Sequence, residues 1–434
     1  MKRSAMKDLL NWKENENRKP LLIRGSRQVG KTYLMKHFGQ TQYEQVVYIN
    51  FENNQTIKLL FDLDYNVERI IKALEIFSGK KISFKNTLLI FDEIQEVPRA
   101  LTALKYFYEN APEYQIICAG SLLGVALHED ISFPVGKIEF LDLYPLSFFE
   151  FLNAMGKESY VEIIKSGDFD FIQTFKNELI QLLKQYYYVG GMPEAVASFV
   201  KNQSFEEVRK IQQNILDSYE LDFSKHVPSK ITPRLRMLFN SIPSQLSKEN
   251  KKFIYGLIKE GSRAKQYEVA LMWLIDCSLI HKVSRVNKNN LPLKAYEDLK
   301  AFKLFILDVG LLACMTRLNL KTLLEANNLF VEFKGSLTEQ FVLQQLKTLK
   351  EFDIYYWTNE KGSAEIDFLL DNGSSIIPVE VKAEINLRSK SLKVYNDKFS
   401  PKHSVRLSLA SFKKEESLIN LPLWAVEVLP QLLN

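Results

Sequence analysis

Over residues 1–145, short continuous apolar runs alternate with stretches in which apolar positions recur every three to four residues. The runs at 20–24, 46–50, 87–91 and 115–119 have the length and branched apolar content of strands covered on both faces, as in a parallel sheet. The stretches at 31–39 and 67–78 have the period of amphipathic helices. This alternation predicts an α/β fold with helices packed on a parallel sheet.

Beyond residue 145 the pattern changes. Helical segments rich in Phe, Leu and Tyr run through 171–188 and, after Gly190-Gly191-Met192-Pro193, through 193–219, which predicts a helical lid over 146–225. Helical patterns at 233–246 and 263–277, a β-rich run at 279–286 and a polar turn at 287–290 predict a winged-helix-like region over 226–310, a module that binds DNA or serves as a spacer. In 311–434 a helix at 336–346 precedes strands at 364–370 and 375–381, which flank the turn Asp371-Asn372-Gly373, so a small α/β domain is expected.

The first run leads directly into Gly25-Ser26-Arg27-Gln28-Val29-Gly30-Lys31-Thr32, and a helical pattern follows at once. Strand, glycine-rich loop and helix in this order form a phosphate cradle: the glycines let successive amides point at phosphate oxygens, and the helix start adds its positive end. Lys31 would neutralise the β and γ phosphates, and Thr32 would offer its hydroxyl to Mg²⁺. About 60 residues on, the run Leu88-Leu89-Ile90-Phe91 delivers Asp92-Glu93 at the end of a buried strand. Asp92 would hold Mg²⁺. Glu93 would point elsewhere because strand side chains alternate, and would polarise a water for attack on the γ-phosphate. The run at 115–119 continues into Gly120-Ser121, where Ser121 is either a γ-phosphate sensor or part of the turn that ends a strand. ATP and Mg²⁺ are the expected ligands, with residues 1–145 as a P-loop NTPase core.

Together with Phe91-Asp92-Glu93-Ile94-Gln95, Ala119-Gly120-Ser121, Leu143-Tyr144-Pro145-Leu146-Ser147-Phe148 and Gly190-Gly191-Met192-Pro193-Glu194-Ala195, the loop resembles the bacterial and archaeal AAA-type ATPases fused to a domain of unknown function, over nearly the whole chain. The resemblance implies ATP hydrolysis. It places Pro193, in the lid signature, near the nucleotide base, and it allows an oligomer, since many relatives complete their active site in trans. The family often carries Arg where this chain has Lys137, which leaves the arginine finger unassigned because an ammonium cannot make a planar bidentate contact.

Charge is uneven. The chain has a net charge of +5, yet residues 225–303 hold 16 Lys and Arg against 6 Asp and Glu. This is either a solvated basic face or a footprint for a DNA backbone, with Lys251, Lys252, Arg263 and Lys265 near phosphates and Lys282, Arg285 and Lys288 on a wing. In the last segment, period-two alternation places Glu365 and Asp367 on one strand face, and Glu380 and Lys382 on one face of the next strand. This resembles the PD-(D/E)xK nuclease core, in which Asp367 and Glu380 would hold Mg²⁺ and Lys382 would orient a water, with Glu339 as the extra acid some such nucleases use. The other reading is an antiparallel pair whose exposed face is salt-bridged.

The remaining composition narrows the classes. At 434 residues the chain is too long for one core. Cys118, Cys277 and Cys314 lie far apart in apolar runs, as reduced buried thiols do, and five histidines without metal spacing argue against a zinc enzyme. The start has basic residues but no apolar export segment, and no run reaches the ~20 apolar residues that span a bilayer. A cytoplasmic protein with no membrane partner is expected.

Overall fold

Five parallel strands build the N-terminal unit: β1 (Leu21–Arg24), β2 (Gln45–Asn50), β3 (Thr87–Asp92), β4 (Gln115–Ala119) and β5 (Glu139–Asp142), in the order β2-β3-β4-β1-β5. They belong to a computed structural model that describes residues 1–52, 54–120, 134–248, 251–324, 331–359, 362–385 and 390–433. The chain divides into two units, one of Lys2–Tyr144 with Asp276–Leu279 and one of Met1, Pro145–Ile275 and Ile280–Asn434.

In the N-terminal unit every strand pairing is parallel, and the register Asn50↔Asp92 and Asp92↔Ala119 brings the carboxyl ends of β2, β3 and β4 to one edge. The reason lies in β3. All six of its residues are buried, so it needs a strand on each side and a layer on each face. Burying each of Leu88, Leu89, Ile90 and Phe91 contributes about 1.5–3 kcal/mol. Helices Lys31–Gln42, Val67–Ser78 and Pro98–Asn110 connect the strands. The Asn66 side chain accepts the Arg69 amide at 2.9 Å to start the second of these, and Gly79 ends it. The strands expected at 20–24, 46–50, 87–91 and 115–119 are present. β5 was not expected: it is an edge strand with only Leu141 buried, and its Asp142 is clamped by Arg24 at 2.8 Å.

The C-terminal unit has an eight-stranded mixed sheet in the order β12-β13-β11-β10-β9-β8-β6-β7. Its strands are β6 (Ile280–Val286), β7 (Glu297–Ile306), β8 (Asp353–Thr358), β9 (Glu365–Asp371), β10 (Ile376–Val381), β11 (Ser404–Ser408), β12 (Lys413–Glu415) and β13 (Leu418–Pro422). The turn at Asp371-Asn372-Gly373 joins β9 to β10, in antiparallel register Ile376↔Asp371. One expectation is corrected here. The hairpin expected as the wing of a separate region over 226–310 is the β6–β7 end of this sheet, with β6 paired in parallel to β8. The physical reason is burial: Ala301–Ile306 is an unbroken buried run, and Ile280, Val283 and Val286 are buried beside it, which a solvated wing does not provide. The boundary expected at 310 therefore cuts through one unit.

Helices cover this unit. Helix Val331–Leu346 carries an unusual set of buried amides. Gln340 holds both the amide and the carbonyl of Ile306, at 3.0 and 2.6 Å, and Gln345 accepts the Phe148 amide at 2.7 Å. Each satisfies a main-chain group at the end of an element, Ile306 at the end of β7 and Phe148 at the start of helix Phe148–Ala154. On its apolar side Phe341 lies among Phe148, Tyr186 and Tyr187.

Candidate functional site

The loop Gly25 to Thr32 follows β1 and runs into helix Lys31–Gln42, capped by Gly30. At Gly25 the backbone sits at φ 146°, and an added Cβ would meet the Leu143 carbonyl oxygen at 2.3 Å, so only glycine fits. Val29 is fully buried and anchors the loop to the core. Ser26 is buried, and its hydroxyl has no hydrogen-bond partner. Arg27 is half-buried and Gln28 exposed.

Lys31 is 6% exposed, with its ammonium donating to the carbonyls of Gly25 and Ser26, both at 2.8 Å. Burial lowers its pKa to about 8, although the nearby Glu93 and Asp92 act to raise it. A desolvated ammonium held by two neutral carbonyls is short of counter-charge, which an entering phosphate would supply.

Asp92 ends β3. Its Oδ2 accepts the Thr32 hydroxyl at 2.7 Å and the Tyr48 hydroxyl at 2.9 Å, while its Oδ1 is buried without a hydrogen-bond partner. Burial and the Asp92 carboxylate together raise the Tyr48 pKa, keeping that phenol a donor. A buried, unsatisfied carboxylate oxygen beside a threonine hydroxyl suits a hard cation such as Mg²⁺. Tyr48 was not singled out from sequence; its place on β2, two residues before Asn50↔Asp92, is the signal.

Glu93 leaves the strand in a left-handed conformation, φ 52° and ψ 45°. Its divergence from Asp92 thus comes from a turn rather than from strand alternation. Gln95 donates to Glu93 Oε2 at 2.6 Å and fixes the carboxylate. Ser121 lies outside the described residues. Lys137 pairs with Glu109 at 3.1 Å. Pro193 is half-buried and opens helix Pro193–Asn202 in the C-terminal unit. The glycines before it have their own packing reason. The Gly191 amide donates to buried Asp308 at 2.6 Å and its carbonyl accepts from Leu146 at 2.7 Å.

The second predicted cluster is also brought together. Glu339, Asp367 and Glu380 are close enough to perturb one another, Glu339 shares a hydrogen bond with Asp367, and Lys382 pairs with Glu380 at 2.6 Å. Asp367 Oδ2 accepts the Val381 amide at 2.8 Å. Burial, reinforced by the charges of Glu339 and Glu380, holds Asp367 well above the usual carboxylate range. Two lysines not assigned to this site from sequence join it. Lys251 pairs with Glu339, and Lys303, 0% exposed, contacts Glu365 at 2.5 Å and Glu339 at 3.8 Å. Among the described residues no group of three or more His, Cys, Asp or Glu is arranged to hold a metal ion.

Part of the basic stretch is spent on ion pairs. Besides Lys251 and Lys303, Arg285 pairs with Asp298 at 2.6 Å and Lys294 with Glu297 at 2.6 Å. Arg263, Lys265 and Lys288 are exposed, and Lys282 lies over the Phe302 ring. The three cysteines are buried and none is in a disulfide among the described residues, and no helix among the described residues is long and apolar enough to cross a membrane.

Three family models match parts of the chain. Residues 17–152 match an AAA domain, 180–322 a domain of unknown function (DUF8612), and 334–426 a second domain of unknown function (DUF4143). The second match runs across the divisions expected at 225 and 310. No curated protein matches. Among solved structures the Walker-type ATPase PABY2304 of Pyrococcus abyssi is 16% identical, covering 72% of this chain and 95% of its own, with a TM-score of 0.44. The Aeropyrum pernix ORC1 protein in complex with DNA is 11% identical over 72% of this chain and 90% of its own, with a TM-score of 0.27. Likenesses this loose add nothing to the fold described above. The parallel sheet, the loop with Lys31 and Thr32, and Asp92 at the end of β3 agree with the match over residues 17–152, so the N-terminal unit is similar to an AAA-type P-loop domain.

Proposed function

We propose that this chain binds ATP with Mg²⁺ at the loop Gly25 to Thr32 and hydrolyses it. The observation that carries the reading is the meeting of Thr32 and Asp92, 60 residues apart, at 2.7 Å beside the buried Lys31 ammonium. The loop amides and Lys31 grip the phosphates, and Glu93, held by Gln95, activates the attacking water. Mg²⁺, when bound, would rest on Thr32 and Asp92 and draw charge from the phosphates. Steady-state ATP turnover tests this: the parent turns over ATP only with Mg²⁺, whereas Glu93→Gln binds ATP and fails to hydrolyse it. A Glu93→Gln protein as active as the parent would remove the assignment.

Nucleotide state is passed to the C-terminal unit, and that unit acts on nucleic acid through the exposed Arg263, Lys265 and Lys288. Stimulation of turnover by DNA supports this. A second reading, an ATP-driven switch whose nuclease-like sheet makes only protein contacts, is favoured by the lysines that fill the Glu339, Asp367 and Glu380 cluster. Turnover indifferent to DNA would favour it.

A further inference from the structure

The carboxylates of the C-terminal sheet come from three elements. Glu339 lies on helix Val331–Leu346, Glu365 and Asp367 on β9, and Glu380 on β10. Buried carboxylates at such spacing need cations, and a divalent ion is one solution. This sheet has another. Lys303 projects from β7, within the buried run Ala301–Ile306, and its ammonium reaches Glu365 at 2.5 Å and Glu339 at 3.8 Å, over the face of Tyr356 at 4.9 Å. Lys251 takes the other oxygen of Glu339. Lys382 takes Glu380 Oε1 at 2.6 Å, and Arg406 on β11 stands across the register from Glu380.

We infer that Lys303 is a built-in cation that replaces a divalent metal in this cluster, so that Glu339, Asp367 and Glu380 form an internally neutralised site that takes no Mg²⁺ or Mn²⁺. Four carboxylates face four basic side chains. Of the acid oxygens, Oε1 of Glu339 is held by Lys251, its Oε2 faces Lys303, and one oxygen of Asp367 is held by the Val381 amide. Glu339 Oε2 and Glu380 Oε2 are buried acceptors without a hydrogen bond, and each belongs to a carboxylate whose charge is met by an ammonium, Glu339 by Lys251 and Lys303 and Glu380 by Lys382. Among the described residues no three of these acids are arranged around a common metal position, and adding a dication among three ammonium groups would oppose their charges. Lys303 cannot withdraw as a surface lysine can, because it is fully buried and its carboxylate partners outweigh the cost of that burial, holding its pKa above the usual lysine value.

The inference stands apart from ATP chemistry, and its test separates the two. Full-length Asp92→Asn protein, which lacks the carboxylate of the P-loop metal site, is titrated with Mn²⁺ without nucleotide and followed by electron paramagnetic resonance. The same is done with Asp92→Asn/Asp367→Asn. Equal Mn²⁺ uptake by the two proteins, including none, supports the inference. Uptake by the first that is lost in the second overturns it. Thermal melting of Lys303→Met gives an independent readout. A lower melting temperature, or failure to fold, is expected because Glu339 and Glu365 lose their cation; melting unchanged from the parent would contradict a neutralising role for Lys303.

Discussion

The Thr32 hydroxyl donates to Asp92 Oδ2 at 2.7 Å, and the Tyr48 hydroxyl meets the same oxygen at 2.9 Å. Two donors on one oxygen leave Oδ1 as the open acceptor, so the orientation of the carboxylate is set before any ligand arrives. The Tyr48→Phe protein is expected to keep its fold and lose apparent affinity for Mg²⁺ in ATP turnover, by roughly tenfold, the scale of one hydrogen bond to a charged group. A Mg²⁺ titration of the steady-state rate checks this.

Gln95 acts through Glu93. Because its amide fixes Glu93 Oε2 at 2.6 Å, Gln95→Ala is expected to lower kcat by roughly tenfold while ATP affinity stays near the parent value. Glu93→Gln is expected to lower kcat by roughly 10²–10⁴-fold. Equal losses in kcat and affinity for Gln95→Ala would point to damage of the loop rather than to loss of positioning.

The pair Gly190-Gly191 tests the packing of the C-terminal unit. A Cβ at Gly190 would lie 2.1 Å from Asp308 Oδ1, and one at Gly191 2.1 Å from the Leu146 carbonyl oxygen. Neither neighbour is a flexible chain end: Leu146 contributes backbone, and Asp308 is held by the Gly191 and Leu311 amides and by Gln344. Alanine at either position is expected to cost about 1–3 kcal/mol, measurable as a shift of the denaturation midpoint.

Glu427 gives the unit a pH dependence. It is half-buried, and its carboxylate accepts the Phe149 amide at 2.7 Å and the Ser147 hydroxyl at 2.8 Å. Burial raises its pKa from 4.5 to about 7; the two hydrogen bonds oppose this rise and the Glu150 charge adds to it. Between those values the folded state holds a proton that the unfolded chain has released, so stability falls as pH rises through this window, by at most about 1.4 kcal/mol per pH unit. Relative to Glu427→Gln, the parent is expected to lose stability from pH 5 to pH 8 in urea denaturation. Parallel pH profiles would contradict the assignment.

Much of the N-terminal unit was legible because its signals are local. Leu88-Leu89-Ile90-Phe91 reads as a buried strand whatever its neighbours, and the loop Gly25 to Thr32 carries its chemistry within eight residues. β5 was not legible, since an edge strand with one buried residue has no apolar run to show. In the C-terminal half, β6 and β7 read as a hairpin, but their joining a sheet through β8 depends on a pairing some 70 residues away that no local pattern encodes. Lys251 and Lys303 were counted as free positive charge for the same reason, with Lys251 88 residues from its partner Glu339. Lys303 did leave a trace. A single lysine inside Ala301-Phe302-Lys303-Leu304-Phe305-Ile306 breaks a buried run, and such a lysine must have an acid beside it.

The most direct measurement is the equilibrium affinity of the full-length protein for Mg²⁺-ATP, by calorimetric titration of the parent and of Lys31→Ala. The buried ammonium is expected to supply the charge that holds the phosphates, so the variant should bind roughly 10- to 100-fold more weakly at unchanged fold. Equal affinity in the two proteins would mean that the loop between Gly25 and Thr32 does not hold a nucleotide, and the assignment of the site would fall with it.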